Sequence, residues 1–96
     1  MRPYELLFIA RPDLDAEQVE AVINKFTALI EKEGGEIIKV DKWGKRKFAY
    51  EIDKKWRDGF YTLVHFNGEP AVANELQRVM KISDEIIRQL ITRLGE

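Results

Sequence analysis

The stretch "EIIRQLITRL" (residues 85–94) decides the fold. Its apolar spacing suits a helix, whereas its β-branched neighbours, Ile86-Ile87 and Ile91-Thr92, suit a strand. The stretch alone leaves both readings open. The order of the elements before it settles the choice.

Working back from that stretch, "NGEPAVANELQRVMKISD" (67–84) opens with Pro70, well placed for a first helical position, and carries an apolar stripe of Val72, Leu76, Val79 and Met80. "FYTLVHF" (60–66) alternates, with Phe60, Thr62, Val64 and Phe66 opposite Tyr61, Leu63 and His65. "DKKWRDG" (53–59) reads as a hairpin turn. Before it, Ile38 and Val40 alternate against Ile37, Lys39 and Asp41, and Phe48, Tyr50 and Ile52 against Lys47, Ala49 and Glu51. Gly44 interrupts the two runs, which predicts one long bent strand over about 36–52 with a bulge at that glycine.

"DAEQVEAVINKFTALIEKEGG" (15–35) is the clearest element. Asp15 and Gln18 have capping-box spacing. Val19, Val22, Ile23, Phe26, Leu29 and Ile30 form one stripe, and Gly34-Gly35 supplies a stop. "YELLFIA" (4–10) puts Tyr4, Leu6, Phe8 and Ala10 on one face and Glu5, Leu7 and Ile9 on the other, a strand covered on both sides that ends at Pro12.

Strand–helix–strand–strand–helix now awaits one more element. A fourth strand would pair the remaining free edge of the central strand, so 85–94 is read as a strand. The result is an α+β chain of βαββαβ order, the ferredoxin-like split βαβ arrangement. We expect a four-stranded antiparallel sheet in the order 2-3-1-4, with helices near 15–33 and 70–81 on one face and residues 1–96 as a single domain. The other face stays open. It carries Leu7, Ile9 and either Tyr61 or Leu63, and an apolar open face calls for a partner.

Charge is distributed unevenly. The chain has a net charge of −1, yet Lys42 to Arg57 holds seven basic residues against Glu51 and Asp53, a local +5 that leaves −6 elsewhere. Such a patch fits a polyanion, while the plain alternative is lysines that guard a hairpin edge against aggregation. There is no cysteine, so no disulfide framework, thiolate nucleophile or thiolate-held zinc arises. No uncharged run approaches a membrane span, and Glu5 interrupts the first apolar run, so the N-terminal stretch reads as a strand, not a signal peptide.

Catalysis finds little support. The only histidine, His65, falls mid-strand, and no HExxH, GxSxG, P-loop or GxGxxG is present. The acids of 13–20 match a helix N-terminus rather than a calcium loop. No metal, cofactor or small-molecule substrate is assigned, and the chain is expected not to be an enzyme. RNA binding has positive support: "WGKRKFAY" (43–50) and "KKWR" (54–57) combine cations that neutralise phosphates with rings that stack on unpaired bases. An RNA-recognition-motif reading fits the element order. Its third-strand signature, however, fails at Thr62 and His65, where aromatics belong.

The whole pattern resembles a known family. "MRPYELLFIARPD", the capped helix ending "EGG" and above all "WGKRKFAYEIDK" are similar to the bacterial ribosomal protein S-six family, over residues 2–93. Of that family's Gly-x-Arg-x-Leu-Ala-Tyr-x-Ile motif, Gly44, Arg46, Ala49, Tyr50 and Ile52 match, Phe48 replaces the leucine, and Asp53 follows where a basic or small residue is usual. The resemblance implies a cytoplasmic, ribosome-bound structural protein. It would bind the central domain of small-subunit ribosomal RNA together with ribosomal protein S-eighteen. The expected phosphate contacts are Arg2, Arg46, Lys47, Lys54, Arg88 and Arg93, and the expected partner contacts are Leu7 and Ile9. The competing classes are an independent RNA binder and a ferredoxin-like regulatory domain.

Overall fold

A computed structural model describes residues 1–48 and 56–95. The elements are β1 (Arg2–Ala10), α1 (Ala16–Lys32), β2 (Glu36–Lys47), β3 (Asp58–Gly68), α2 (Pro70–Lys81) and β4 (Ile86–Arg93). The stretch 85–94 is therefore a strand, as the element order requires. The sheet runs β2-β3-β1-β4 with every pair antiparallel, so β1 lies inside it and β4 closes its free edge.

Local chemistry sets the ends of α1. Asp15 accepts the Gln18 backbone N–H at 2.8 Å, and the Gln18 side chain accepts the Asp15 N–H at 2.9 Å, which completes the capping box. At the other end Gly34 has φ 91°. Its N–H donates to Glu31 and that of Gly35 to Ile30, at 3.0 and 2.8 Å, which is a Schellman stop. The stripe between these caps packs with Val72, Leu76 and Met80 of α2 against Tyr4, Leu6, Phe8, Val64 and Phe66 on one sheet face. Phe8 and Phe26 meet edge to face at 5.8 Å, joining sheet and helix at the centre of this core. Substituting a fully buried Phe of this kind by Ala typically costs about 3–5 kcal/mol.

Register fixes which side chains face away from the helices. Across β3, β1 and β4, His65, Glu5 and Thr92 form one row, Leu63, Leu7 and Leu90 a second, and Tyr61, Ile9 and Arg88 a third. These rows are the open face.

Two expectations need correction. Ile38 and Val40 do not share a face. The β2–β3 register jumps between Ile37 and Lys39, so Ile37 lies opposite Phe66 and Val40 opposite Val64, while Ile38 is the extra residue and is 56% exposed. An Ile-Ile pair satisfies either phase of an alternating strand, and the bulge picks the first. The predicted turn over 53–59 also extends too far. Asp58 and Gly59 already pair with Lys47 and Arg46. Gly59 is a strand glycine without positive φ, kept because Ile9 lies against it. The second jump, between Lys42 and Gly44, with Gly44 at φ 81°, is the bulge expected at that glycine. A 3.0 Å bond from the Phe48 N–H to the Arg57 carbonyl continues the pairing beyond Lys47. The expected end of the strand at 49–52 and the remainder of the turn, 53–55, lie outside the described residues.

Candidate RNA and partner interface

The open face has an apolar middle. Leu7 and Leu63 are half-buried, and Leu90 is 59% exposed on the edge strand. Ile9 faces the same way yet is only 4% exposed. With no side chain at Gly59, Ile9 lies close over that backbone: a Cβ there would come within 2.4 Å of Ile9 Cγ2 and 3.5 Å of Ile87 Cδ1. Ile87 is the residue skipped where the β1–β4 register shifts. Ile9 is thus the floor of the patch, and Leu7 with Leu90 forms its surface. The row above carries His65, whose Nε2 lies 2.9 Å from Glu5 Oε2, an N–H donor on a carboxylate.

The basic residues fall into two groups. Arg46 and Lys47 lie opposite Gly59 and Asp58 at one end of the sheet, while Arg88, opposite Ile9, lies on the far edge strand β4. Arg2 lies opposite Gly68 and Arg93 opposite Tyr4 at the other end. The Asp58 and Gly68 rows are ten β3 positions apart, roughly 33 Å at about 3.3 Å per residue. That is nearly the full 36 Å length of the molecule. The six expected phosphate contacts therefore do not form one patch. Lys54 lies outside the described residues, as do Ala49, Tyr50 and Ile52 of the motif.

Pairing separates structural cations from available ones. Arg11 holds Asp13 through two bonds of 3.1 and 2.7 Å, and that hydrogen bonding, then the carboxylate's charge, raises it further above its already high value. Lys42 holds Glu20 on α1, Arg78 holds Glu75, and Lys25 lies 3.8 Å from Glu85. Among the described residues, Arg2, Arg46, Lys47 and Arg88 take part in no ion pair.

Sequence reasoning missed two features. One is Leu90, legible as the outward residue between the core-facing Gln89 and Ile91 once 85–94 is a strand. The other is an aromatic stack beside the bulge. The Trp43 and Tyr61 rings are 6.1 Å apart and 12° from parallel, Phe48 meets Tyr61 edge-on, and the Arg46 guanidinium lies 5.1 Å from the Trp43 ring centre. Among the described residues no cluster of three or more His, Cys, Asp or Glu could hold a metal ion, and no helix is long and apolar enough to cross a membrane.

Fold and surface together define the class: a ferredoxin-like α+β domain with an open, leucine-centred sheet face and exposed cations toward its ends. The family model for Ribosomal protein S6 matches residues 3–93, and the chain belongs to that family. It is 58% identical over 96 residues to the small ribosomal subunit protein bS6 of Moorella thermoacetica, covering 100% of this chain and 97% of that one. With the bS6 of Heliobacterium modesticaldum the identity is 55%, covering 100% and 99%. The crystal structure of 30S ribosomal protein S6 from Thermotoga maritima superposes with a TM-score of 0.91 at 37% identity, covering 97% of this chain and 87% of that one. The C-terminal domain of MgtC from Mycobacterium tuberculosis shares the fold alone, at a TM-score of 0.65 and 12% identity.

Proposed function

We propose that this chain is a single-domain structural protein of the bacterial small ribosomal subunit. In this reading it works in the cytoplasm, bound to the ribosome, by binding and not by catalysis. It holds the central domain of small-subunit ribosomal RNA jointly with ribosomal protein S-eighteen. Family membership supports the ribosomal part, and the names of its relatives support the small subunit. One observation favours joint binding: an apolar open face on the same sheet as Arg2, Arg46, Lys47 and Arg88, which take part in no ion pair among the described residues. Leu7, over the buried Ile9, is the protein contact, and Arg2, Arg46, Lys47, Lys54, Arg88 and Arg93 supply the phosphate contacts.

Charge explains why two partners are needed. The net charge is −1, and the exposed face of α1 carries Glu17, Glu20 and Glu31 against Lys25 and Lys32, so that face offers no attraction to phosphate. A protein of this kind should bind RNA alone only at the weak non-specific level, a Kd on the order of 10⁻⁴ M or poorer. A basic partner seated on the leucines would add apolar burial and positive charge together, and effective concentration would then make one strong contact out of two weak ones. The test is a filter-binding titration of central-domain RNA with this chain, repeated with ribosomal protein S-eighteen present. Tight binding only with the partner is expected. Equal affinity in both titrations would overturn joint binding, and a chain that fails to sediment with small subunits from cell extract would overturn the ribosomal reading.

A further inference from the structure

The stack at the β2–β3 corner is built in layers. Trp43 is the extra residue of the second bulge, which turns its indole onto Tyr61. Its Nε1–H donates to Asp41 at 3.2 Å, so the ring is anchored by its polar edge as well as by its face. Phe48 meets Tyr61 edge-on at 6.3 Å and 61°. Arg46 lies over Trp43, exposed, and no carboxylate among the described residues engages it. An arginine positioned by a ring, not by an acid, keeps its N–H donors and one face of its plane free. Lys45 and Lys47 flank it in sequence but belong to the other sheet face, where Lys45 lies 5.1 Å from the Phe60 ring centre.

We propose that Tyr61, Trp43 and Arg46 form a platform that receives one unpaired nucleobase of RNA, stacked on the Arg46–Trp43 pair. The proposal rests on the ribosomal reading and adds to it the RNA feature recognised. A run of cations alone would suit any polyanion. A ring-backed guanidinium suits a polyanion that also carries flat rings. An acidic peptide offers charge without rings, and a paired base keeps its faces inside the helix, so the occupant is a base outside the stack.

The probes are a fluorescein-labelled hexa-adenylate and an abasic ribose-phosphate hexamer of equal charge, titrated at low salt into the full chain and read by anisotropy. The wild-type chain should bind hexa-adenylate about tenfold more tightly than the abasic hexamer, toward the low end of what one stacked base contributes. Arg46→Lys keeps the charge and loses the plane, and Trp43→Leu keeps apolar bulk and loses the ring. Each should abolish the preference, bringing affinity for hexa-adenylate down to that for the abasic hexamer. Arg46 is exposed and outside the core, so its variant remains decisive if Trp43→Leu fails to fold. Equal wild-type affinity for the two probes would overturn the platform, as would a preference that survives Arg46→Lys. An Arg46→Lys variant that loses only its affinity for a partner protein would overturn it too, by making the stack a protein contact. The ribosomal reading is judged separately: a chain that sediments with small subunits but shows no base preference refutes the platform alone.

Discussion

Gly44 and Gly59 are both required, for opposite reasons. At Gly44, φ is 81° and an added Cβ would meet nothing within 4 Å, so the constraint lies wholly in the backbone. Gly44→Ala should lower stability by about 1–2 kcal/mol, the cost of a left-handed conformation. At Gly59 the backbone is ordinary and space is lacking, because a Cβ would lie 2.8 Å from the Ala10 carbonyl as well as against Ile9. A carbonyl of the central strand cannot turn aside like a side-chain tip. Gly59→Ala should therefore cost about 3 kcal/mol, at the upper end of overpacking penalties. Urea unfolding of both variants checks this ordering, and equal losses would refute it. The first glycine was legible because it broke an alternating run. The second was assigned to a turn, because only pairing brings Ile9 of a distant strand against it. The burial of Ile9 escaped sequence reading for the same reason.

The elements differ in how fully their own residues specify them. The α1 helix is marked at both ends and along its stripe, and its predicted extent of 15–33 holds to within a residue. The α2 helix begins at Pro70, but its N-cap Glu69 makes no side-chain capping bond. Asp15→Ala should cost about 1 kcal/mol, while Glu69→Ser should stabilise by up to about 1 kcal/mol by adding the missing acceptor. Thermal melts monitored by circular dichroism read both signs, and a loss at Glu69→Ser would show that its exposed 3.5 Å contact with the N-terminal amine outweighs the cap. The strand β2 was legible in existence but not in phase. Its second bulge carries a glycine signature, whereas its first has only two adjacent isoleucines, which fit either face. For β4 the local pattern was ambiguous, and topology supplied the answer.

At the scale of the whole molecule, placement of the charges matters more than their number. Arg46 and Lys47 cannot reach the same few nucleotides as Arg2 and Arg93, because most of the length of the sheet lies between them. Sequence reasoning grouped these residues by type and by family motif, which carry no distance. Their separation appears only once β1 and β2 both pair with β3, which sets Arg2 beside Gly68 and Arg46 beside Gly59. An RNA held at both ends must follow the sheet along most of its length, and losing either end leaves the other as a single weak contact. Arg46→Ala with Lys47→Ala, and Arg2→Ala with Arg93→Ala, should each reduce the steepness of log affinity against log salt by about 1.4–1.8, taking roughly 0.7–0.9 per phosphate contact. The four changes together should reduce it by about twice that. Affinity at fixed salt should behave differently: either pair should remove most of it, so that the second pair adds little, since the two ends act through effective concentration. The measurement is a salt series of filter-binding titrations on central-domain RNA with ribosomal protein S-eighteen present. A salt slope unchanged by one pair would place all the RNA at the other end of the sheet and refute the two-ended arrangement.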